Sequence, residues 1–345
     1  MNRFIYVAFS LIILLNLFLE SADYTMAIIA SFIFPILFLF FLQRIDVFER
    51  EKFKDIFFVF MFGAVGAVIL CIPYVIIREL FFEGSSKLNL IVTFISVAIP
   101  EEIIKIIPFI AVLRYRKFVD EPIDYLIYAS ASALGFVFME NIDYIFKYKD
   151  SGSIVALRST LPAIMHMLSS SIFAFGIFLY MNSKKTKYIF YGLIFAALAH
   201  AIYNWSWIFG NIVGSVVLLF LCIYYSKLIQ SLLNISPFYE KSKENEIHSS
   251  ANFLLYVIIG VLATSSIYDI YSNGIISIFE NIENFLWLLV VPFAIYRIIS
   301  SKLSLKQANF IALGTRKTNY KILIEMQDII INYYKSHRNK SKYYN

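Results

Sequence analysis

The sequence predicts an all-α fold, a polytopic transmembrane helical bundle of about ten spans. Three observations support this. The 345 residues are 60% hydrophobic and only 16% charged, whereas a soluble protein is about half apolar and one quarter charged. The mean hydropathy is +0.72. The apolar residues fall into separate runs of about 20 residues, the length that a helix needs to cross the hydrocarbon core of a bilayer.

The predicted spans follow the apolar runs in order along the chain. They are 4–19, 26–43, 56–77, 89–112, 123–146, 161–181, 188–208, 211–233, 252–272 and 285–300. The first run is short, but no small-x-small cleavage site follows it, so we interpret it as an uncleaved anchor and not as a signal peptide. Polar residues at Asp269, Asn273 and Gly274 interrupt the pattern near the last two spans.

The distribution of basic residues predicts the orientation of the bundle. With the N-terminus in the cytoplasm, 24 of the 30 Lys and Arg residues lie in or beside inside segments, and 5 lie outside. Positive charge accumulates on the cytoplasmic side of membrane proteins. We therefore expect a multi-pass protein of the plasma membrane with both termini in the cytoplasm. The basic loops account for the net charge of +6, so the charge does not indicate a nucleic-acid partner.

Three segments follow from these patterns. Residues 1–240 form the core, with about eight spans, and residues 241–300 hold two additional spans. Residues 301–345 form a basic cytoplasmic tail. Within the tail, the pattern over 320–334 predicts a helix on the membrane surface.

Polar groups interrupt four consecutive predicted spans. They are Glu101, Glu102 and Lys105 on the fourth, Glu140 and Asn141 on the fifth, His166 and Ser170 on the sixth, and His200 and Asn204 on the seventh. One charge at the centre of a membrane helix costs about 2.5–3.5 kcal/mol on insertion scales. A chain that bears this cost in four consecutive spans is expected to assemble a site.

Helical spacing relates these groups to one another. Lys105 follows Glu101 by four residues and Glu102 by three, so all three share one helix face. Lys105 can neutralise one carboxylate and leave the other to titrate, which makes that other carboxylate a candidate general base. Glu101 lies about 18 Å into its span, near the middle of the membrane.

Other interpretations remain open for each group. The glutamates and Lys105 could form a structural ion-pair node between helices. Glu140 could be a carboxylate that reaches the interface, and His166 could be a plain hydrogen-bonded histidine. His200 with Asn204 could be an interhelical clamp. The same polar cavity could also serve a non-enzymatic transporter or an immunity-type binding protein. A transporter is expected to show pseudo-symmetric halves, and the sequence contains no internal repeat.

Four motifs in this order resemble the PrsW family of bacterial intramembrane proteases, which is related to the CAAX prenyl endopeptidases and the bacteriocin-processing enzymes. The motifs are Glu101–Lys105, Phe136–Asn141, Arg158 with His166, and His200–Asn204. The resemblance covers roughly residues 30–235. The CAAX enzymes typically place an arginine one position later than Lys105 and a histidine in the second motif. The chain therefore resembles the PrsW branch.

The resemblance implies an endopeptidase that cleaves a membrane protein, with a single-pass anti-sigma factor as the expected substrate. Glu101 or Glu102 would activate a water with help from His166, and His200 and Asn204 would stabilise the oxyanion. Lys105, Glu140, Asn141 and Arg158 would support the site. We expect no cofactor in this mechanism. The alternative is Zn²⁺ held by Glu101, His166 and His200. The lipid bilayer is the other expected partner.

Overall fold

The computed structural model describes residues 24–82, 89–115, 119–148, 161–243 and 321–337, with a few single positions between 246 and 256. Nine α-helices lie in these described ranges. They are α1 (Tyr24–Ile45), α2 (Phe53–Phe82), α3 (Leu90–Thr93), α4 (Ile99–Tyr115), α5 (Pro122–Tyr148), α6 (Leu161–Ser183), α7 (Lys187–Ser206), α8 (Asn211–Asn234) and α9 (Lys321–His337). The all-α prediction is confirmed for this part of the chain.

The number of membrane spans is confirmed only in part. Five helices in the described ranges are long and apolar enough to cross a membrane, namely Phe53–Arg78, Pro122–Phe146, Pro162–Ser183, Lys187–Ser206 and Val216–Asn234. A shorter apolar stretch, Ser31–Ile45, precedes them. The predicted spans 4–19 and 285–300, and nearly all of 252–272, fall outside the described residues. The expected total of ten is therefore not confirmed.

The two central helices of the bundle are α5 and α6. Helix α5 packs against α1, α2, α4, α6 and α8, and 83% of its apolar window is buried, compared with 33% for the window in α2. Helices α2 and α5 approach closely at two glycines. A Cβ atom on Gly135 would lie 2.1 Å from the carbonyl oxygen of Phe60, and one on Gly63 would lie 2.3 Å from that of Ser132. Only glycine allows this separation of the two helices.

A π-helical turn joins α3 to α4. It spans Phe94–Ala98, and the N–H of Ile99 donates to the carbonyl of Phe94. Pro100 follows this turn and has no N–H to donate. The carbonyl of Ser96, four residues earlier, accepts a hydrogen bond of 3.0 Å from the Tyr74 hydroxyl of α2. A side chain from a neighbouring helix thus satisfies a backbone oxygen just before the two glutamates.

The tail helix α9 contacts the bundle at the end of α6. Its Tyr333 ring lies 5.2 Å from the Phe178 ring of α6. Its Glu325 forms ion pairs with Lys185 and Lys187, which border the turn from α6 to α7. The helix predicted over 320–334 is therefore present, and one face of it packs on protein.

Candidate active site

Four helices bring six ionisable side chains into one cluster. They are Glu101, Glu102 and Lys105 of α4, Glu140 of α5, His166 of α6 and His200 of α7. Their sequence positions span about a hundred residues, but consecutive helices in an antiparallel bundle place them at one level. The fold thus gathers charges that are each costly to bury alone.

Glu102 is the fixed carboxylate of the cluster. Its side chain has no exposed surface. One oxygen, Oε1, accepts from Lys105 Nζ at 2.6 Å, from Ser169 Oγ at 2.9 Å, and lies 2.8 Å from His200 Nδ1. The other oxygen accepts from Ser170 Oγ at 3.3 Å. With these four partners and no exposed surface, the Glu102 carboxylate is closed off from solvent.

Glu101 has a different environment on the same helix turn. Its side chain is 13% exposed, and its Oε2 lies 4.0 Å from Lys105 Nζ and 3.6 Å from His200 Nε2. Lys105 thus pairs closely with Glu102 and only distantly with Glu101. Of the two adjacent glutamates, Glu101 is the one that can meet a water or a substrate.

Lys105 also orients His166. Its Nζ lies 2.7 Å from His166 Nδ1 and 5.1 Å from the centre of the Phe136 ring. Because an ammonium can only donate, His166 Nδ1 accepts in this arrangement and Nε2 carries the ring proton. That nitrogen lies 3.3 Å from Glu140 Oε2. His166 therefore links Lys105 to Glu140.

His200 bridges the two glutamates of α4. Its Nδ1 faces Glu102 Oε1 at 2.8 Å, and its Nε2 faces Glu101 Oε2 at 3.6 Å. When Nδ1–H donates to Glu102, the Nε2 lone pair of a neutral ring points towards a carboxylate oxygen. Two acceptors in this position need a proton, a water hydrogen or a cation between them.

The donor set fits a zinc ion. One ligand atom from each of Glu101, His166 and His200 can lie within 4.8 Å of the other two. Zinc sites of hydrolases combine two imidazoles and a carboxylate in this way. The Glu102 carboxylate on His200 Nδ1 is also the second partner that a zinc-ligating histidine commonly has. His166 could serve as a ligand through Nε2 only after its ring proton leaves that nitrogen.

Two of the remaining predicted site residues lie close to members of the cluster along the chain. Asn141 is buried beside Glu140 on α5, and Asn204 is half-buried one turn after His200 on α7. Arg158 lies outside the described residues. The motifs in the sequence did not indicate Ser169, whose hydroxyl donates to Glu102. The signal was available, because Ser169 follows His166 by three residues and therefore shares its helix face.

Comparison with known proteins identifies the family. Residues 51–229 match the family described as "PrsW family intramembrane metalloprotease". The chain belongs to the PrsW family. This stretch includes every residue of the cluster, which makes the chain a multi-pass intramembrane protease by family.

Two relatives support the assignment. Protease PrsW of Geobacillus kaustophilus (strain HTA426) is 30% identical over 164 residues, which cover 46% of this chain and 70% of the relative. Protease PrsW of Clostridioides difficile (strain 630) is 26% identical over 182 residues, which cover 50% of this chain and 75% of the relative. No solved structure gives a significant match.

Proposed function

We propose that this PrsW-family protein is an intramembrane endopeptidase in which Glu101 activates the attacking water. The observation that carries the proposal is the contrast between the two glutamates. Glu102 is fully buried, whereas Glu101 is 13% exposed and lies 3.6 Å from His200. A general base must reach the water whose proton it removes, and this requirement favours Glu101.

The other members of the cluster have distinct roles in this mechanism. Glu102 and Lys105 form a buried ion pair that fixes the face of α4. His200 is held by Glu102 through Nδ1. Once Nε2 also carries a proton, that N–H would donate to the oxyanion of the tetrahedral intermediate, together with Asn204 one turn away. His166 and Glu140 form a second acid–base pair, which can donate a proton to the leaving amine. The pair regains a proton when Glu101 releases the one that it took from the attacking water.

Zinc is compatible with the same arrangement of residues. If bound by Glu101, His200 and His166, it would lower the pKa of a water and polarise the peptide carbonyl. The three carboxylates and one ammonium of the cluster give a formal charge of −2 when both imidazoles are neutral. A divalent cation or two additional protons would neutralise this charge.

We propose a single-pass membrane protein as the substrate, specifically an anti-sigma factor cut on its extracellular side. The resemblance to the PrsW branch and the depth of Glu101 support this choice. Hydrolysis needs a site that is open to an aqueous side of the membrane. In the predicted orientation, His166 and Glu140 lie in the outer half of the bundle, so the extracellular side is the expected source of water.

The test compares membrane proteomes of cells that express the wild-type chain, Glu101→Gln or Glu102→Gln. We expect one trimmed single-pass protein with the wild type and none with Glu101→Gln. The exposed loop variant Glu240→Gln is the matched control for loss of one carboxylate and should cleave normally. A trimmed product that persists in the double variant Glu101→Gln/Glu102→Gln would refute the protease mechanism.

A second measurement separates the two chemistries. Metal content is determined on the purified chain and on His200→Ala, and cleavage is measured with and without a chelator. Catalysis is metal-dependent if the wild-type chain holds about one zinc, the variant loses it, and a chelator stops cleavage. Cleavage by metal-free protein would assign catalysis by Glu101 alone.

A further inference from the structure

A second cluster of buried carboxylates lies at the opposite end of α5 from Glu140. It consists of Asp46, Glu121 and Asp124, which can place one oxygen each within 4.8 Å of the other two. Asp124 and Glu140 are sixteen residues apart on one helix, which separates them by about 24 Å along its axis. The cluster is therefore independent of the candidate active site.

Three separate segments build this cluster. Asp46 follows the last residue of α1, and Glu121 and Asp124 lie at the start of α5. Ser236, just after α8, donates a hydrogen bond to Glu121 Oε2. All three carboxylates are buried, with exposures of 0% for Asp46, 1% for Glu121 and 0% for Asp124. The packing of these segments against one another therefore buries three acidic side chains in one place.

Backbone amides fix two of the carboxylates. The N–H groups of Asp120 and Glu121 donate to Asp124 Oδ2 at 2.9 and 2.8 Å. Those of Glu49 and Glu51 donate to the two oxygens of Asp46 at 3.2 and 3.1 Å. The positions of these side chains are thus set by the loops, as in sites whose ligands are arranged in advance.

Two oxygens in the cluster have no donor within the described part of the chain. They are Glu121 Oε1 and Asp124 Oδ1, and both are buried. No lysine or arginine of the described residues forms an ion pair with Asp46, Glu121 or Asp124. A buried carboxylate is normally paired or bound to a metal, and no described residue supplies a cation to these three.

From this geometry we infer that Asp46, Glu121 and Asp124 bind a hard divalent cation such as Mg²⁺, Mn²⁺ or Ca²⁺. An all-oxygen set of carboxylates selects these ions and not zinc. Glu121 Oε1, Asp124 Oδ1 and a remaining lone pair of Asp46 would be the protein ligands. The cation would tie the α1–α2 loop to the start of α5, next to the end of α8. It would stabilise the bundle without contacting the reacting groups.

The test uses the purified full-length chain in detergent, stripped of metal. Thermal unfolding is followed while Mg²⁺, Mn²⁺ or Ca²⁺ is added, and bound Mn²⁺ is counted by its paramagnetic resonance signal. We expect one ion per chain and a rise in Tm of about 5 °C or more at saturation. The double variant Glu121→Gln/Asp124→Asn should lose both the bound ion and the rise in Tm.

Two control variants locate the effect. Glu101→Gln changes the candidate active site, and Glu240→Gln changes an exposed carboxylate; both should keep the full response to metal. A response lost in Glu101→Gln but kept in Glu121→Gln/Asp124→Asn would overturn the inference and place the ion at the active site. A wild-type chain that binds no ion and shows no change in Tm would also overturn it, and would indicate that shared protons neutralise the cluster.

Discussion

Removal of the Glu102 charge should show how the role of this buried glutamate differs from that of Glu101, the proposed general base. Glu102 and Lys105 have no exposed side-chain surface, and their charged atoms are 2.6 Å apart. The removal of one partner of a buried ion pair costs about 3–5 kcal/mol, because the other charge remains buried. Glu102→Gln should therefore lower the Tm by roughly 6 to 20 °C.

Glu101→Gln should lower the rate of cleavage and leave the Tm nearly unchanged. Its carboxylate is partly exposed and lies 4.0 Å from Lys105, so its loss should change the Tm little. Cleavage should fall by about 10²- to 10⁴-fold, the usual contribution of a general base. The assays are thermal unfolding of the purified chain and the rate of appearance of a trimmed substrate.

A double variant completes this test. In Glu102→Gln/Lys105→Met both charges are absent, so it should be more stable than Glu102→Gln or Lys105→Met alone. Unfolding of Glu102→Gln at the wild-type temperature would show that the buried ion pair does not stabilise the bundle. Simple additivity of the changes in unfolding free energy of the two single variants would show the same, because a close buried pair must show coupling.

Three further predictions concern the scaffold. Gly135→Val should destabilise the chain by about 3 kcal/mol or more, because its Cβ would meet the Phe60 carbonyl at 2.1 Å. Unfolding of the control Val65→Leu, at an exposed position, should be unchanged, and an equal effect of both variants would contradict the close helix approach. Tyr74→Phe should lower the free energy of unfolding by about 1 kcal/mol, since the Ser96 carbonyl loses its donor. Unchanged stability in this variant would mean that another donor satisfies the Ser96 carbonyl. Hydrogen bonds from Lys185 and Lys187 lower the pKa of Glu325 to about 2. The contact of α9 with the α6–α7 turn should therefore persist above pH 4.5 and weaken as the pH falls towards 2. Spin-label distances between α9 and this turn measure the change. In Glu325→Gln these distances should be long at every pH. Short distances in this variant would show that the contact of Tyr333 with Phe178 is enough to hold α9 on the bundle.

Helix periodicity was sufficient to predict much of the candidate site. The spacing of Glu101, Glu102 and Lys105 is a local property, because residues three and four apart share a helix face whatever the tertiary structure. The four polar interruptions on consecutive apolar runs also predicted that α4 to α7 would meet. These inferences rest on contacts within one helix and on the cost of burying charge in a membrane.

Other contacts depend on distances between helices, which periodicity does not specify. Spacing alone allows Lys105 to pair with either glutamate. Glu102 becomes the close partner of Lys105 because three side chains from other helices surround it, namely Ser169 and Ser170 of α6 and His200 of α7. The donation from Tyr74 to the Ser96 carbonyl likewise joins two helices, and no local pattern indicates it.

The sequence by itself determined the class of fold, the helices that carry the polar groups and the family. Tertiary structure alone decided which carboxylate is buried, because burial depends on the neighbouring helices that pack around it. It also brought Asp46 beside Glu121 and Asp124, although more than seventy residues separate them in the chain. Such a cluster forms only when loops close at one end of the bundle, and loop closure leaves no periodic signal in the sequence.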